Sequence, residues 1–141
     1  MPRRSGNTVM VLTDKIKEFL RQRRFAVLAT INADGTPQQT VMWYELQGDR
    51  IMMNTRVGRI KEKNLKADPR VSFCIEDEYD YLTLTGRVEL DYHHERSQAD
   101  IKALAVRYHG EEKTEQQMRN SFSKQDRVTI YLTVENVDAN F

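Results

Sequence analysis

Short runs of apolar residues, separated by turn residues, dominate the first half of the chain and predict antiparallel β-strands. The run at 25–31 is nearly continuous, and its length suits a buried strand better than a helix. Asp34-Gly35 and Gly48-Asp49 are hairpin signals at which the chain reverses direction. Together these patterns predict a meander of three strands, over residues 25–31, 38–46 and 50–55.

Clean alternation of apolar and polar side chains predicts a long strand over residues 79–91. Its apolar positions, which share one face, are Leu82, Leu84, Val88 and Leu90. Gly86 falls on the same face, where its missing side chain permits a bend or a close approach of another backbone. Further strands are predicted over 70–76 and 127–138, and a slip in the alternation of the last strand predicts a bulge or a strand end near Asn136.

Helices are predicted between the strands, mainly from apolar positions that repeat at three- and four-residue spacing. Thr13 is placed to cap the first helix and Gly110 to end the third. The predicted helices cover residues 15–23, 59–67, 95–108 and 111–122. Six mostly sequential antiparallel strands favour a β-barrel, because closure of the sheet removes its exposed edges. We expect an N-terminal tail over 1–12 and a single domain over 13–141.

Composition and charge narrow the class of protein. Of the 141 residues, 39% are hydrophobic and 30% are charged, and the formal net charge of +1 gives no reason to expect nucleic acid or a membrane as a partner. No apolar stretch reaches the length of a membrane span or of a secretory leader. Cys74 is the only cysteine, so an internal disulfide is impossible, and we expect its side chain to be buried in a cytoplasmic protein.

The segment 54–66 is the most informative candidate for a binding site. It holds five basic residues and one acidic residue, and it runs from a strand end through a glycine-containing loop into a helix. Unpaired backbone N–H groups at a helix N-terminus attract anions, and Arg59 and Lys61 add full positive charges there. Asn54 and Thr55 supply polar groups at the strand end, so the segment can hold a phosphate. A solvated basic helix would show the same composition.

The second predicted strand offers a surface for a flat ring. A polarisable methionine lies beside large aromatic residues in Val41-Met42-Trp43-Tyr44, next to Gln38, Gln39 and Thr40. Core packing is the competing interpretation for Met42 and Trp43. Tyr79 and Tyr81 could stack on a ring, across a subunit boundary if the protein is a dimer.

Motifs for metal or nucleophilic chemistry are not evident. His93-His94 lies beside Asp91 and Glu95, but adjacent histidines usually point apart, which favours a solvated turn over a metal site. No Ser-His-acid or Cys-His arrangement stands out. We therefore predict no metal.

Several of these segments together resemble the pyridoxamine 5′-phosphate oxidase-like split β-barrel superfamily, over about residues 13–135. The segments are Ala-Val-Leu-Ala-Thr-Ile-Asn-Ala-Asp-Gly-Thr-Pro at 26–37, Trp43-Tyr44, Asn54-Thr55, Arg59-Ile60-Lys61, Asn-Leu-Lys-Ala-Asp-Pro-Arg-Val at 64–71, and Gly86. Within the superfamily the chain looks most similar to the small, single-domain oxidoreductases that use the deazaflavin coenzyme F420. Members that bind FMN share most of the pattern, and the uncharged stretch 38–40 mildly favours the deazaflavin.

The resemblance implies a mainly β protein, a six-stranded antiparallel split barrel of the FMN-binding type, that acts as a homodimer with cofactor sites at the interface. It implies a phosphate near Arg59 and Lys61. The residues implied around the cofactor tail are Asn54, Thr55 and Ile60. Those implied along the ring system are Thr40, Val41, Met42 and Trp43, and Tyr79 is implied to arrive from the other subunit.

The leading hypothesis for function is hydride transfer from reduced F420 to an unsaturated organic substrate. The cofactor supplies the chemistry, so no catalytic acid is required of the protein, and protons can come from solvent or from a tyrosine such as Tyr44. An FMN-binding reductase or oxidase is the first alternative, and a non-catalytic flavin- or haem-binding protein is the second. A nucleic-acid surface over 21–24 and 56–66 is a weaker alternative, because the net charge is close to zero.

Overall fold

The computed structural model describes residues 11–141, so the predicted tail over 1–12 lies almost wholly outside it. Strands and helices follow one another in the predicted order. In chain order they are α1 (Asp14–Arg21), β1 (Ala26–Ile31), β2 (Pro37–Met42), β3 (Glu45–Gln47), β4 (Arg50–Arg56), α2 (Ile60–Ala67), β5 (Arg70–Asp77), β6 (Asp80–Asp91), α3 (His94–His109), α4 (Glu111–Asn120), a short 3₁₀ turn (Phe122–Lys124) and β7 (Arg127–Asn140).

The second predicted strand is in fact two strands, so the sheet has seven strands rather than six. The break falls at Trp43 and Tyr44, where side chains of α3 replace a neighbouring strand as hydrogen-bond partners. The Tyr44 N–H donates to the hydroxyl of Tyr108 at 3.2 Å, and Arg107 Nε donates to the Tyr44 carbonyl at 3.0 Å. Buried backbone groups must be paired, and this pairing lets the chain leave one strand and enter another.

The strand order places β2 and β3 at opposite ends of the hydrogen-bonded sheet, which reads β2-β1-β5-β6-β7-β4-β3. All neighbours are antiparallel. Because two residues join β2 to β3, the two ends of the sheet must lie close together, and the sheet curls into a barrel. The split-barrel architecture predicted from the sequence is therefore confirmed.

The interior of the barrel is filled by the alternating apolar residues of its strands. Leu82 and Leu84 of β6 are fully buried, as the alternation predicts, and they pack with Leu28, Phe73 and Ile130 from neighbouring strands. Helix α1 adds Phe19 and Leu20 to the same core. Thr13 caps α1, because its hydroxyl accepts a hydrogen bond from the Ile16 N–H at 3.3 Å.

Gly86 and the bulge in β7 are linked features of the β6–β7 pair. Gly86 pairs with Val134 and Thr85 pairs with Asn136, so Glu135 is the extra residue of a bulge, next to the position predicted from the sequence. A Cβ atom on Gly86 would penetrate the carbonyl oxygen of Thr133. The predicted close approach of another backbone is therefore confirmed.

Cys74 is half-exposed, so the prediction that it is a buried core residue is wrong. On β5 the core positions are Val71, Phe73 and Ile75, and Cys74 falls on the opposite, outward face. The apolar run around it misled the prediction, because both faces of this strand are largely uncharged. Across the same outward face, Val27 of β1 lies directly opposite both Val41 of β2 and Cys74.

The two adjacent histidines, His93 and His94, lie at the start of helix α3. His93 is the N-cap of α3, and its Nδ1 accepts a hydrogen bond from the Arg96 N–H at 3.3 Å.

Within residues 11–141, no helix is both long and apolar enough to cross a membrane.

We expect the substitution Gly86→Ala to lower the free energy of unfolding by about 3 kcal/mol, since β6 and β7 must separate to admit the methyl group. Chemical denaturation followed by circular dichroism measures this change. Arg87→Ala is the matched control, because Arg87 is the exposed neighbour on the same strand and its loss should cost less than about 0.5 kcal/mol. Equal stability of both variants would contradict the steric argument.

Candidate functional site

A cavity of about 450 Å³ lies where β2, β4, the start of α2 and helix α3 meet. The β2–β3 break, the end of β4 and the 3₁₀ turn before β7 all contribute side chains to its wall. Its lining residues are Thr40, Val41, Met42, Trp43, Asn54, Thr55, Arg56, Arg59, Lys61, Ile101, Leu104, Ser121, Phe122, Gln125 and Arg127.

Most of the site residues predicted from the sequence meet in this cavity. Those that line it are Thr40, Val41, Met42, Trp43, Asn54, Thr55, Arg59 and Lys61. Ile60 and Tyr79 do not line it. Ile60 is 60% exposed on the outside of α2, and Tyr79 is 90% exposed between β5 and β6. That these residues bind a cofactor stays a prediction.

Positive charge at the cavity comes from Arg56, Arg59, Lys61 and Arg127, and no acidic residue in the described part of the chain lines the cavity with them. Within residues 11–141, no carboxylate forms an ion pair with any of the four. Burial, and then repulsion by Arg59 and Arg127, lower the pKa of Lys61. Burial, and then repulsion by Arg59 and Arg56, lower the pKa of Arg127 to about 10. An anion in the cavity would relieve both shifts.

The turn before α2 places Arg59 and Lys61. Gly58 has a φ of 96°, in the left-handed region that favours glycine, and Arg59 follows as an N-cap without a side-chain cap. Buried Glu62 anchors the turn, because its carboxylate accepts from the Gly58 N–H at 2.9 Å and from the Tyr92 hydroxyl at 2.6 Å. Burial alone would raise the pKa of Glu62, but these hydrogen bonds and nearby lysines lower it, so the carboxylate stays ionised.

Asn54 is buried, and its side chain is engaged by protein groups on both sides. Its Nδ2 donates to the Ser97 carbonyl at 3.0 Å and to Thr129 Oγ1 at 3.3 Å. Its Oδ1 accepts from Arg127 Nε at 2.7 Å. The amide therefore fixes the direction of the Arg127 side chain at the cavity wall.

Aromatic and apolar side chains form the rest of the wall. Trp43 stacks on Tyr108 with ring centroids 5.3 Å apart and an interplanar angle of 11°, which holds the indole in place. Met42, Ile101 and Leu104 are buried and line the cavity. The wall thus combines apolar and cationic side chains, as a ligand with a flat ring and an anionic tail requires.

Tyr44 does not reach the cavity, so the suggestion that it donates a proton to a substrate is wrong. Its ring is fully buried against Phe73, and its hydroxyl donates to the carbonyls of Leu20 at 3.0 Å and Gln22 at 3.2 Å. Burial raises the pKa of Tyr44 to about 12. The residue joins the barrel to the end of α1.

Sequence reasoning did not single out several residues that line the cavity, namely Arg56, Ile101, Leu104, Ser121, Phe122, Gln125 and Arg127. Arg56 lies inside the basic segment and could have been included. Arg127 could not, because its place in the cavity depends on the pairing of β4 with β7, which puts it directly opposite Arg56. Ile101 and Leu104 carry the helical apolar pattern that a core residue also shows.

Solved structures of similar shape fall into more than one functional group. A protein described as an F420 reductase is 27% identical, with a TM-score of 0.71 over 86% of this chain and 94% of its own. A conserved hypothetical protein from Mycobacterium tuberculosis is 26% identical, with a TM-score of 0.77 over 99% of this chain and 89% of its own. The haem storage protein HutZ from Vibrio cholerae is 21% identical, with a TM-score of 0.68 over 92% of this chain and 95% of its own, and it shares the fold.

The sequence profile of one family spans almost the whole chain. The profile described as pyridoxamine 5′-phosphate oxidase matches residues 12–141, which include every strand of the barrel and every residue that lines the cavity. The resemblance drawn from the motifs in strands β1, β2 and β4 and in helix α2 is thereby confirmed. The chain belongs to the pyridoxamine 5′-phosphate oxidase family.

Proposed function

We propose that this protein is an F420-dependent oxidoreductase that transfers a hydride to an unsaturated organic substrate. The observation that carries the proposal is the cavity itself, which is lined by Arg59, Lys61 and Arg127 together with Trp43 and apolar residues. The structural similarity to an F420 reductase, at 27% identity, supports the choice of cofactor.

The residues present fit a flavin-type cofactor with an anionic tail. Arg59, Lys61 and the uncapped N-terminus of α2 would hold its phosphate through charge-assisted hydrogen bonds. The residues that would lie along its ring are Thr40, Val41, Met42 and Trp43. When bound, F420 supplies the hydride, so the protein needs no nucleophile of its own.

The protein's contribution is binding, orientation and exclusion of water. Met42, Ile101 and Leu104 remove water from one side of the cavity, and the stacked Trp43 limits the positions that a ring can take. The cationic residues favour a ligand with an anionic group by Coulomb attraction. A proton required by the substrate would come from solvent, since none of residues 11–141 that line the cavity is a carboxylic acid.

FMN is the main alternative cofactor, because it also has a flat ring and a phosphate. Haem is a weaker alternative despite the structural similarity to a haem storage protein. Haem iron is usually held by an axial ligand such as histidine, and among the residues described no histidine lines this cavity.

We also propose that two copies of the chain form a homodimer through the outward face of β2, β1 and β5. Val41 is 64% exposed there, and it continues across the sheet into Val27 and Cys74. Phe25, which is 60% exposed, lines a groove with the same three residues. Burying this apolar surface would stabilise a dimer, and because Val41 also lines the cavity, the partner would lie beside the bound cofactor.

Titration of the cofactor-free protein with F420 and with FMN tests the choice of cofactor. We expect micromolar or tighter binding of F420 and at least tenfold weaker binding of FMN. Trp43, the only tryptophan and a wall residue, reports both titrations by quenching of its fluorescence. Preference for FMN would move the protein to the FMN-dependent branch, and binding of neither cofactor would contradict an oxidoreductase function.

The substitution Lys61→Ala should weaken F420 binding roughly 10- to 100-fold, because a charge-assisted hydrogen bond to the phosphate is lost. Isothermal titration calorimetry measures the change. Lys63→Ala is the control, since Lys63 is exposed on the same helix and does not line the cavity. If both variants bound F420 alike, the phosphate would not lie at the start of α2.

The substitution Val27→Glu should shift the protein from dimer to monomer, because it places a charge in the proposed apolar interface. Light scattering after gel filtration reports the mass of the particle. Thr133→Glu, on the exposed face of β7 between Arg50 and Arg87, should leave the dimer intact. A wild-type protein that elutes with the mass of one chain at high concentration would refute the dimer.

A further inference from the structure

Arg56 and Arg127 are directly opposite each other on neighbouring strands β4 and β7. Like charges at opposite positions of a sheet repel, and this pair lies at the cavity wall, where Arg127 is half-buried. None of the carboxylates of residues 11–141 forms an ion pair with either guanidinium. The arrangement is unfavourable in the free protein, and an anion between or beside the two side chains would make it favourable.

Arg127 is held in one orientation by three neighbours. Its Nε donates to Asn54 Oδ1 at 2.7 Å, its Nη1 donates to Gln125 Oε1 at 2.6 Å, and its guanidinium lies over the Phe122 ring at 5.0 Å. An arginine side chain has five N–H donors, so three remain for another partner. A guanidinium that is held in place and still has N–H groups available suits a carboxylate or a phosphate.

The side-chain amide of Asn54 is in turn oriented by hydrogen bonds to other groups of the protein. Its Nδ2 faces the Ser97 carbonyl, which can only accept, so its Oδ1 must face Arg127. The same Nδ2 also reaches Thr129 Oγ1, whose hydrogen goes to Asp100 Oδ2 at 2.7 Å. Both ends of the amide are therefore occupied, and Asn54 acts on a ligand through Arg127 rather than by touching it.

We propose that Arg56 and Arg127 form a second anion-binding position of the cavity, beside the phosphate position at the start of α2, with Asn54 as the positioning residue of Arg127. The proposal rests on the proposed function and makes it more specific. F420 carries carboxylate groups beyond its phosphate, whereas FMN carries its phosphate alone. The second position therefore binds a carboxylate of the F420 side chain and selects F420 over FMN.

The experiment compares wild-type protein with Arg127→Gln, Asn54→Ala and the double variant, using calorimetric titration with F420, FMN and pyrophosphate. We expect Arg127→Gln to weaken binding of F420 and of pyrophosphate at least tenfold, and binding of FMN less than threefold. Asn54→Ala should have a similar effect, and it should add little in the Arg127→Gln background, because it acts through that side chain. Arg119→Gln, an exposed arginine of α4, is the charge-matched control and should change nothing.

Thermal denaturation checks that each variant is folded. If Asn54→Ala is not, Gln125→Ala removes the other acceptor of Arg127 and replaces it in the comparison. Unchanged F420 and pyrophosphate affinity in Arg127→Gln would overturn the second position, and equal losses for F420 and FMN would overturn its role in selection. Full additivity of the two substitutions would overturn the positioning role of Asn54.

The pyrophosphate titration separates this inference from the proposed function. If wild-type protein binds pyrophosphate in an Arg127-dependent manner but does not bind F420, the anion position stands and F420 is the wrong ligand. If wild-type protein binds F420 but neither ligand depends on Arg127, the proposed function stands and the second position is refuted. Binding of neither ligand would refute both.

Discussion

The fold of this protein depends on the break in the chain at Trp43 and Tyr44. A continuous strand there would keep β2 and β3 in one line, and the sheet would end in two open edges. Instead, the side chains of Tyr108 and Arg107 of α3 form hydrogen bonds with the Tyr44 backbone. The Tyr44 hydroxyl forms hydrogen bonds with the carbonyls of Leu20 and Gln22 at the end of α1. The chain can therefore step from one end of the sheet to the other without leaving buried polar groups unpaired.

The same break forms the cavity. The strand stops at Met42, and the Trp43 side chain that follows stacks on Tyr108 of α3 and lines the cavity. The barrel closure also brings the end of β4 and the start of β7 to this point, which places Arg56 opposite Arg127. A structural requirement, the pairing of two backbone groups, thus decides where a ligand can lie.

Electrostatics give this cavity its chemical character. Keeping Lys61 and Arg127 charged is costly in the folded protein, because burial and repulsion by neighbouring arginines lower the pKa of both. The fold tolerates that cost because Glu62, Asn54 and Gln125 hold the surrounding segments in place without neutralising the charges. The cavity therefore combines uncompensated positive charge with an apolar lining.

The sequence by itself determined most of the elements, the barrel and the basic segment that lines the cavity. These features depend on local patterns: the alternation in β6, the apolar run in β1, and the order of strand end, glycine and basic helix over 54–61. It failed at Trp43-Tyr44 and at Cys74, where burial depends on what packs against the chain. Only the tertiary structure decided that Arg127 lies at the cavity. It also decided which residues form the outward face of the barrel and which side of α3 faces inward. The physical reason is that strand pairing between residues far apart in sequence leaves no periodic signal, and that pairing sets which side chains share a cavity.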